Sequence, residues 1–234
     1  MKADVMFFDT EIHGETGKVL DIGAIRSSGV RLHTKSLPAF ATFIRGSRFF
    51  CGHNILAHDL KYVGNLIQDA CPGYIPIDTL CLSPLLFPTK PYHKLLKNDK
   101  LQVDELNNPV NDSMKARDLL NDEIAAWNGL APDRQEIYYQ LLRHTTEFGG
   151  FFDYIKYVST AKHSFLGRIL NTQPDWPRLI LKEFEGKLCS HADFGILAKL
   201  YPIEMAYCLA VIGADDVFSI TPAWVIRNYP QVST

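Results

Sequence analysis

Val5-Met6-Phe7-Phe8-Asp9-Thr10-Glu11 opens on four apolar residues and closes on two carboxylates separated by one residue. The apolar run, rich in Phe and Val, reads as a short β-strand. Alternation along a strand points Asp9 and Glu11 to the same side, about 7 Å apart, so the strand end carries two oxygen donors on one face. A solvated polar strand end has the same appearance, so the meaning of the pair depends on the residues downstream.

A second β-type run over residues 19–26, the turn Ser27-Ser28-Gly29 and a third run over residues 30–33 together predict an antiparallel meander. Leu37, Phe40, Phe43 and Ile44 then recur at helical spacing, with Ser36 as cap and Pro38 in the first turn. Phe49-Phe50-Cys51 returns to strand. Leu56, Leu60, Val63, Leu66 and Ile67 fit one helical face closed by Cys71-Pro72-Gly73, and residues 75–77 form a fifth strand. After Asp78-Thr79 the pattern predicts a short helix, a turn through Pro84, Pro88 and Pro91, a helical piece at residues 92–96, and a longer helix over 109–127. Three antiparallel strands followed by strands alternating with helices describe an α/β domain: a five-stranded mixed sheet flanked by helices, over residues 1–129. Residues 130–234 read as an all-helical C-terminal extension, with helices near 133–143, 149–156, 176–184, 191–200 and 203–212 and a loop over 159–173.

Composition narrows the class of protein. With 47% hydrophobic and 21% charged residues among 234, the chain is an ordinary globular sequence, neither disordered nor fibrous. Its apolar runs are far shorter than the roughly 20 residues that span a bilayer, so no membrane partner is expected. The N-terminus runs straight into a strand without the regions of a signal peptide, and a cytoplasmic location is expected. Cys51, Cys71, Cys81, Cys189 and Cys208 show no paired spacing and are expected to be reduced, mostly buried small hydrophobes; Cys189 and His191 lack the second pair that a zinc site needs. A formal charge of -2 leaves any nucleic-acid contact to local basic clusters, for which Arg45 and Arg48, and Lys90, Lys94, Lys97 and Lys100, are the candidates.

Gly52-His53-Asn54 comes directly after the strand at residues 49–51, and Asp59 stands in the first turns of the next helix. Phe-Asp-Thr-Glu followed by Gly-His-Asn, a short spacer and Asp resembles the first two motifs of the DEDD (DnaQ-like) 3′-5′ exonuclease superfamily, which includes the epsilon proofreading subunit of bacterial DNA polymerase III. Ile77-Asp78-Thr79-Leu80 resembles the family's strand-to-helix junction. The last family motif, His-x-Ala-x-x-Asp-Ala, is matched by Asn107-Asn108-Pro109-Val110-Asn111-Asp112-Ser113, with Tyr92-His93-Lys94-Leu95 as lead-in. A register using Asp118 fits less well. The resemblance covers residues 4–120, about half of the chain.

The resemblance implies a ribonuclease-H-like fold and a 3′-5′ exonuclease that uses two Mg²⁺ or Mn²⁺ ions on nucleic acid, with single-stranded DNA 3′ ends as the expected partner. Asp9 is implied to touch both ions, Glu11 and Asp112 to complete one site, and Asp59 to hold the second ion through water. Thr10, Ile12, His13, His53 and Asn54 are the implied substrate contacts, Ile12 and His13 lying where a terminal base would stack. Asn107 is the clearest departure: the histidine-type branch has its general base there, and Asn108 occupies the position of the tyrosine-type branch. An amide orients water but does not take its proton near neutral pH. Three consequences stay open: turnover carried by metal-acidified water, a substitute base such as His93, or a catalytically weak or inactive module for nucleic-acid or protein binding. RNA or oligonucleotides are the alternative substrates. The layout also resembles exonuclease-like regions placed ahead of RecQ-type helicases, which implies a further domain C-terminal to this chain.

Overall fold

The computed structural model describes residues 4–93, 95, 108–156, 175–189 and 193–214. Five strands form one sheet: β1 (Val5–Ile12), β2 (Val19–Arg26), β3 (Arg31–Thr34), β4 (Phe49–Gly52) and β5 (Ile75–Asp78), in the order β3-β2-β1-β4-β5. The β1–β2 and β2–β3 pairs are antiparallel, and the β1–β4 and β4–β5 pairs are parallel. The described helices are α1 (Leu37–Ile44), α2 (Leu60–Ala70), α3 (Thr79–Leu86), α4 (Pro109–Gly129), α5 (Pro132–Leu142), α6 (Gly149–Ile155), α7 (Trp176–Glu183), α8 (Phe194–Leu200) and α9 (Pro202–Ile212). This is the expected ribonuclease-H-like α/β arrangement with a helical C-terminal region. Tyr92 and His93 are not helical, and the loop expected over residues 159–173 lies outside the described residues.

Among the described residues the chain divides into two compact units. One is drawn from Met1–Leu82, His93–Ala125 and Thr146–Ile155, the other from Ser83–Tyr92, Ala126–Thr145 and Lys156–Thr234. In the sheet unit β1 is central, and Val5, Met6, Phe7 and Phe8 are all buried, as a strand covered on both faces requires. On one face Met6, Phe8, Ile22, Ala24 and Phe50 pack with Phe40 and Ile44 of α1 and Val63 and Ile67 of α2. Each large side chain so buried contributes about 1.5 to 3 kcal/mol. Ser36 caps α1 as expected, accepting from Ala39 N at 3.3 Å.

Helix α6 lies against β5, although its position in the sequence predicts that it belongs to the extension over residues 130–234. The reason is a backbone-level approach: a Cβ on Gly150 would stand 1.9 Å from Pro76 O, and Tyr154 packs edge-on against Phe49 at 5.3 Å. The described elements of the second unit are helices. Within it α5 packs on α7 and α9, burying Ile137, Tyr138, Leu141, Ile180, Met205 and Leu209, and Arg134 ties Glu183 (2.6 Å) to Gly213 O (2.9 Å). No helix among the described residues is long and apolar enough to cross a membrane. The cysteines are all free, but only Cys51 and Cys71 are buried; Cys189 and Cys208 are exposed, against the expectation of mostly buried thiols.

Candidate functional site

The parallel strands β1, β4 and β5 end on the same side of the sheet, where open α/β sheets present their functional groups. β1 is longer than its apolar run because β2 pairs the polar residues as well: Asp9 with Gly23, Thr10 with Ile22 and Glu11 with Asp21, before a register shift between Glu11 and Ile12. Alternation then sends Asp9 and Glu11 to one face and Thr10 to the other.

Gly-His-Asn is a loop built on the end of β5. A Cβ at Gly52 would meet Phe8 O at 2.6 Å, so only glycine lets β4 end against β1 here. Asn54 adopts a left-handed conformation at φ 69°, one of the few non-glycine types that does so readily. Asp78 clamps the loop: Oδ1 accepts from Asn54 N (2.8 Å) and Leu80 N (2.9 Å), and Oδ2 accepts from Leu56 N (3.0 Å). Thr79 donates its hydroxyl to Gly52 O (3.2 Å) and stands 2.9 Å from His53 Nδ1. Because the single hydroxyl proton goes to the carbonyl, Nδ1 carries the proton of that contact. The Asp78-Thr79 pair, which the sequence presents as a strand-to-helix junction, is therefore the clamp of the second motif.

Burial holds the His53 imidazole below its ordinary 6.5; Asp78 and Asp112 oppose this, and His93 adds to it while its backbone favours the charged ring. A depressed histidine value means the folded ring stays neutral while the unfolded one takes a proton, so this contribution is present above pH 6.5 and lost as pH falls below it. Urea unfolding between pH 7 and 5 is expected to show stability falling with acidification, with a shallower fall in His53→Gln. An equal slope in both proteins would count against the assignment.

Asp59 stands just ahead of α2 and is 1% exposed. Its Oδ1 accepts both from Thr10 N (2.9 Å) and from Thr10 Oγ1 (2.6 Å), tying α2 to the residue between Asp9 and Glu11. Burial raises its carboxyl above the usual 3.8, while the two Thr10 donors and His58 pull the other way. Thr10, expected among the substrate contacts, is itself buried and spends both donors on Asp59.

The last acidic residue arrives on α4. Asn108 Oδ1 accepts from Val110 N at 3.0 Å and Pro109 opens the helix, so Asn108 serves as a cap. The start of α4 lies directly on β2: a Cβ at Gly23 would stand 2.1 Å from Pro109 C and Val110 N, and the Ser113 hydroxyl is 3.0 Å from Gly23 O. Gly23 is the ladder partner of Asp9, so this docking brings the turn bearing Asp112 beside the carboxylate end of β1. Asp112 Oδ1 takes an ion pair from Lys115 Nζ at 3.0 Å. No sequence motif marks Lys115, although its spacing of three residues from Asp112 is the signal that finds such pairs.

Among the described residues no group of three or more His, Cys, Asp or Glu side chains is already arranged to hold a metal ion. Ile12 and Asn54 are half-buried, whereas His13 is exposed in the β1–β2 turn, where Nδ1 accepts from Thr16 N at 3.4 Å. Asn107 lies outside the described residues, as do Lys94, Lys97, Lys100 and His191. Arg45 and Arg48, expected beside the site, precede the amino end of β4, whereas the site lies past its carboxyl end; four residues of strand, about 13 Å, intervene. Arg48 is stacked over Phe49 at 5.6 Å instead. Thiol chemistry is disfavoured here: burial, then the neighbouring Asp78, Glu147 and Glu123 carboxylates, push Cys81 up to about 12, and burial followed by Glu123 and Asp78 raises Cys51. No protein-family model, no curated protein and no solved structure matches this chain.

Proposed function

We propose that the sheet unit is a 3′-5′ exonuclease acting on single-stranded DNA ends with divalent Mg²⁺ or Mn²⁺. The observation that supports this most is the docking of α4 on Gly23, which sets the Asp112 turn next to the strand bearing Asp9 and Glu11. The donor set fits such an ion chemically: all four carboxylates offer hard oxygens, and Asp112 already accepts a cation in the form of the Lys115 ammonium. Asp9, Glu11 and Asp112 would hold one ion, and Asp9 with Asp59 the other. When bound, the ions supply Lewis-acid stabilisation of the in-line displacement and acidify the attacking water, which lessens the need for a side-chain base at Asn107. Thr10 holds Asp59 in orientation and favours its charged form through two hydrogen bonds. The Asp78-Thr79 clamp fixes His53 and Asn54 at the loop edge, where they meet the nucleotide.

A second reading, a binding module with the fold but little turnover, is favoured by the lack of a ready three-ligand group among the described residues and by the ion pair on Asp112. A 5′-labelled single strand incubated with Mn²⁺ separates the two. Stepwise shortening is expected, reduced at least about 10²-fold in Asp9→Asn, as befits loss of a shared ligand. Asn107→His is expected to accelerate it; general-base help is worth about 10² to 10⁴, less where no second shell orients the new ring. A strand that is bound but not shortened by any of these proteins would establish the second reading instead.

A further inference from the structure

We propose that Lys115 is a tethered cation for Asp112, standing in for a divalent ion and setting how tightly that ion binds. The inference rests on the exonuclease reading and concerns the regulation of the same site. Lys115 Nζ lies 3.0 Å from Asp112 Oδ1, and both side chains are largely withdrawn from water, at 30% and 24% exposed. On an open helix surface an Asp–Lys pair three residues apart contributes little. Its place is what distinguishes this one. The first turn of α4 cannot drift away from the sheet, because the Asn108 cap, the Pro109 and Val110 backbone against Gly23, and the Ser113 hydroxyl on Gly23 O hold it there.

Asp112 therefore stays beside a strand end that also carries Asp9 and Glu11, with Asp59 bonded to the residue between them. A carboxylate on a turn held there adds negative charge to that end of the sheet, and a neighbouring cation offsets it. A lysine one turn along the same helix supplies that charge at high effective concentration, without any ion from solution. It holds the Asp112 carboxylate in position in the ion-free protein. A divalent ion reaching Asp112 must displace the ammonium or tolerate it as a neighbour, and either course weakens its binding.

Removing the charge while keeping the length of the side chain tests this directly. Mn²⁺ binding to the full chain is measured by isothermal titration calorimetry for the parent, Lys115→Met and Lys115→Arg, with chelated thermal melts as a check on folding. Lys115→Met is expected to bind Mn²⁺ about tenfold more tightly, and Lys115→Arg, which keeps the charge, within about twofold of the parent. The chelated Lys115→Met protein is expected to melt below the parent and to gain more from added Mn²⁺. Should Lys115→Met fail to fold, Lys115→Gln carries the same expectation. Equal or weaker Mn²⁺ binding by the neutral variant overturns the inference while leaving the exonuclease reading intact. No binding by the parent or any variant overturns that reading, and the inference with it.

Discussion

Gly23→Ala is expected to lower the stability of the sheet unit by about 3 kcal/mol or to lift the start of α4 off β2, and in both cases to abolish strand shortening. The new Cβ would stand 2.1 Å from Pro109 C and Val110 N and 2.4 Å from Pro109 O. These are backbone atoms of a capped helix and cannot rotate aside as a side chain would. Inserting a methyl into a well-packed contact usually costs about 1 to 3 kcal/mol, and the upper end applies where backbone must move. The Ser113 hydroxyl has Pro109 O at 2.7 Å as well as Gly23 O at 3.0 Å, so it keeps an acceptor when α4 lifts and adds little to the loss. Because Gly23 faces Asp9 across the ladder, the displacement separates Asp112 from Asp9 and Glu11 without touching a carboxylate. Urea unfolding and the labelled-strand assay read the two effects. A Gly23→Ala protein with parental stability and parental cleavage would show that the docking of α4 does not assemble the site.

The contrast between two substitutions at Asp59 is expected to be as large. Asp59→Ala leaves Thr10 N–H and the Thr10 hydroxyl buried without their shared acceptor, at about 1 to 3 kcal/mol for each unsatisfied donor. Asp59→Asn keeps a side-chain oxygen for both donors and removes the cost of burying a charge. The sign comes from the raised carboxyl value. Burial makes the ionised form costlier in the folded state, so the deficit opens as pH rises past the ordinary 3.8 and is complete above the folded value. At neutral pH, Asp59→Asn should therefore be as stable as the parent or more so, while Asp59→Ala melts well below it. On the proposed exonuclease reading both should lose Mn²⁺-dependent shortening, because neither supplies the anionic oxygen proposed for the second ion. An active Asp59→Asn would remove Asp59 from the metal ligands while leaving its structural tie to Thr10 untouched.

How far the chain can be read in advance differs between features that depend on neighbours and features that depend on distant contacts. The β2 strand over residues 19–26 and the Ser36 cap are visible in local patterning, because side-chain alternation and cap chemistry act within a few residues. The ends of elements are less legible. β1 continues to Ile12 through polar residues because β2 offers a ladder there, and α2 begins at Leu60 rather than Leu56 because Asp78 takes Leu56 N into the loop clamp. Arg48 is close to Gly52-His53-Asn54 in sequence, yet a strand converts four residues of sequence into separation between its two ends.

Sequence alone determined the order of strands and helices, the mixed character of the sheet, and the placing of Asp9 and Glu11 on one face of a strand, since each arises from local periodicity and chirality. Tertiary structure decided what those residues meet. Asp59 reaches Thr10 across 49 residues, and Ser113 reaches Gly23 across 90. Asp78 closes on Asn54 and Leu56, and α6 returns to β5 against Pro76. No local preference specifies such contacts. They form because a buried donor or acceptor must find a partner and an apolar helix face must find a sheet, and which partner is within reach is settled only when the whole sheet unit has closed around its core.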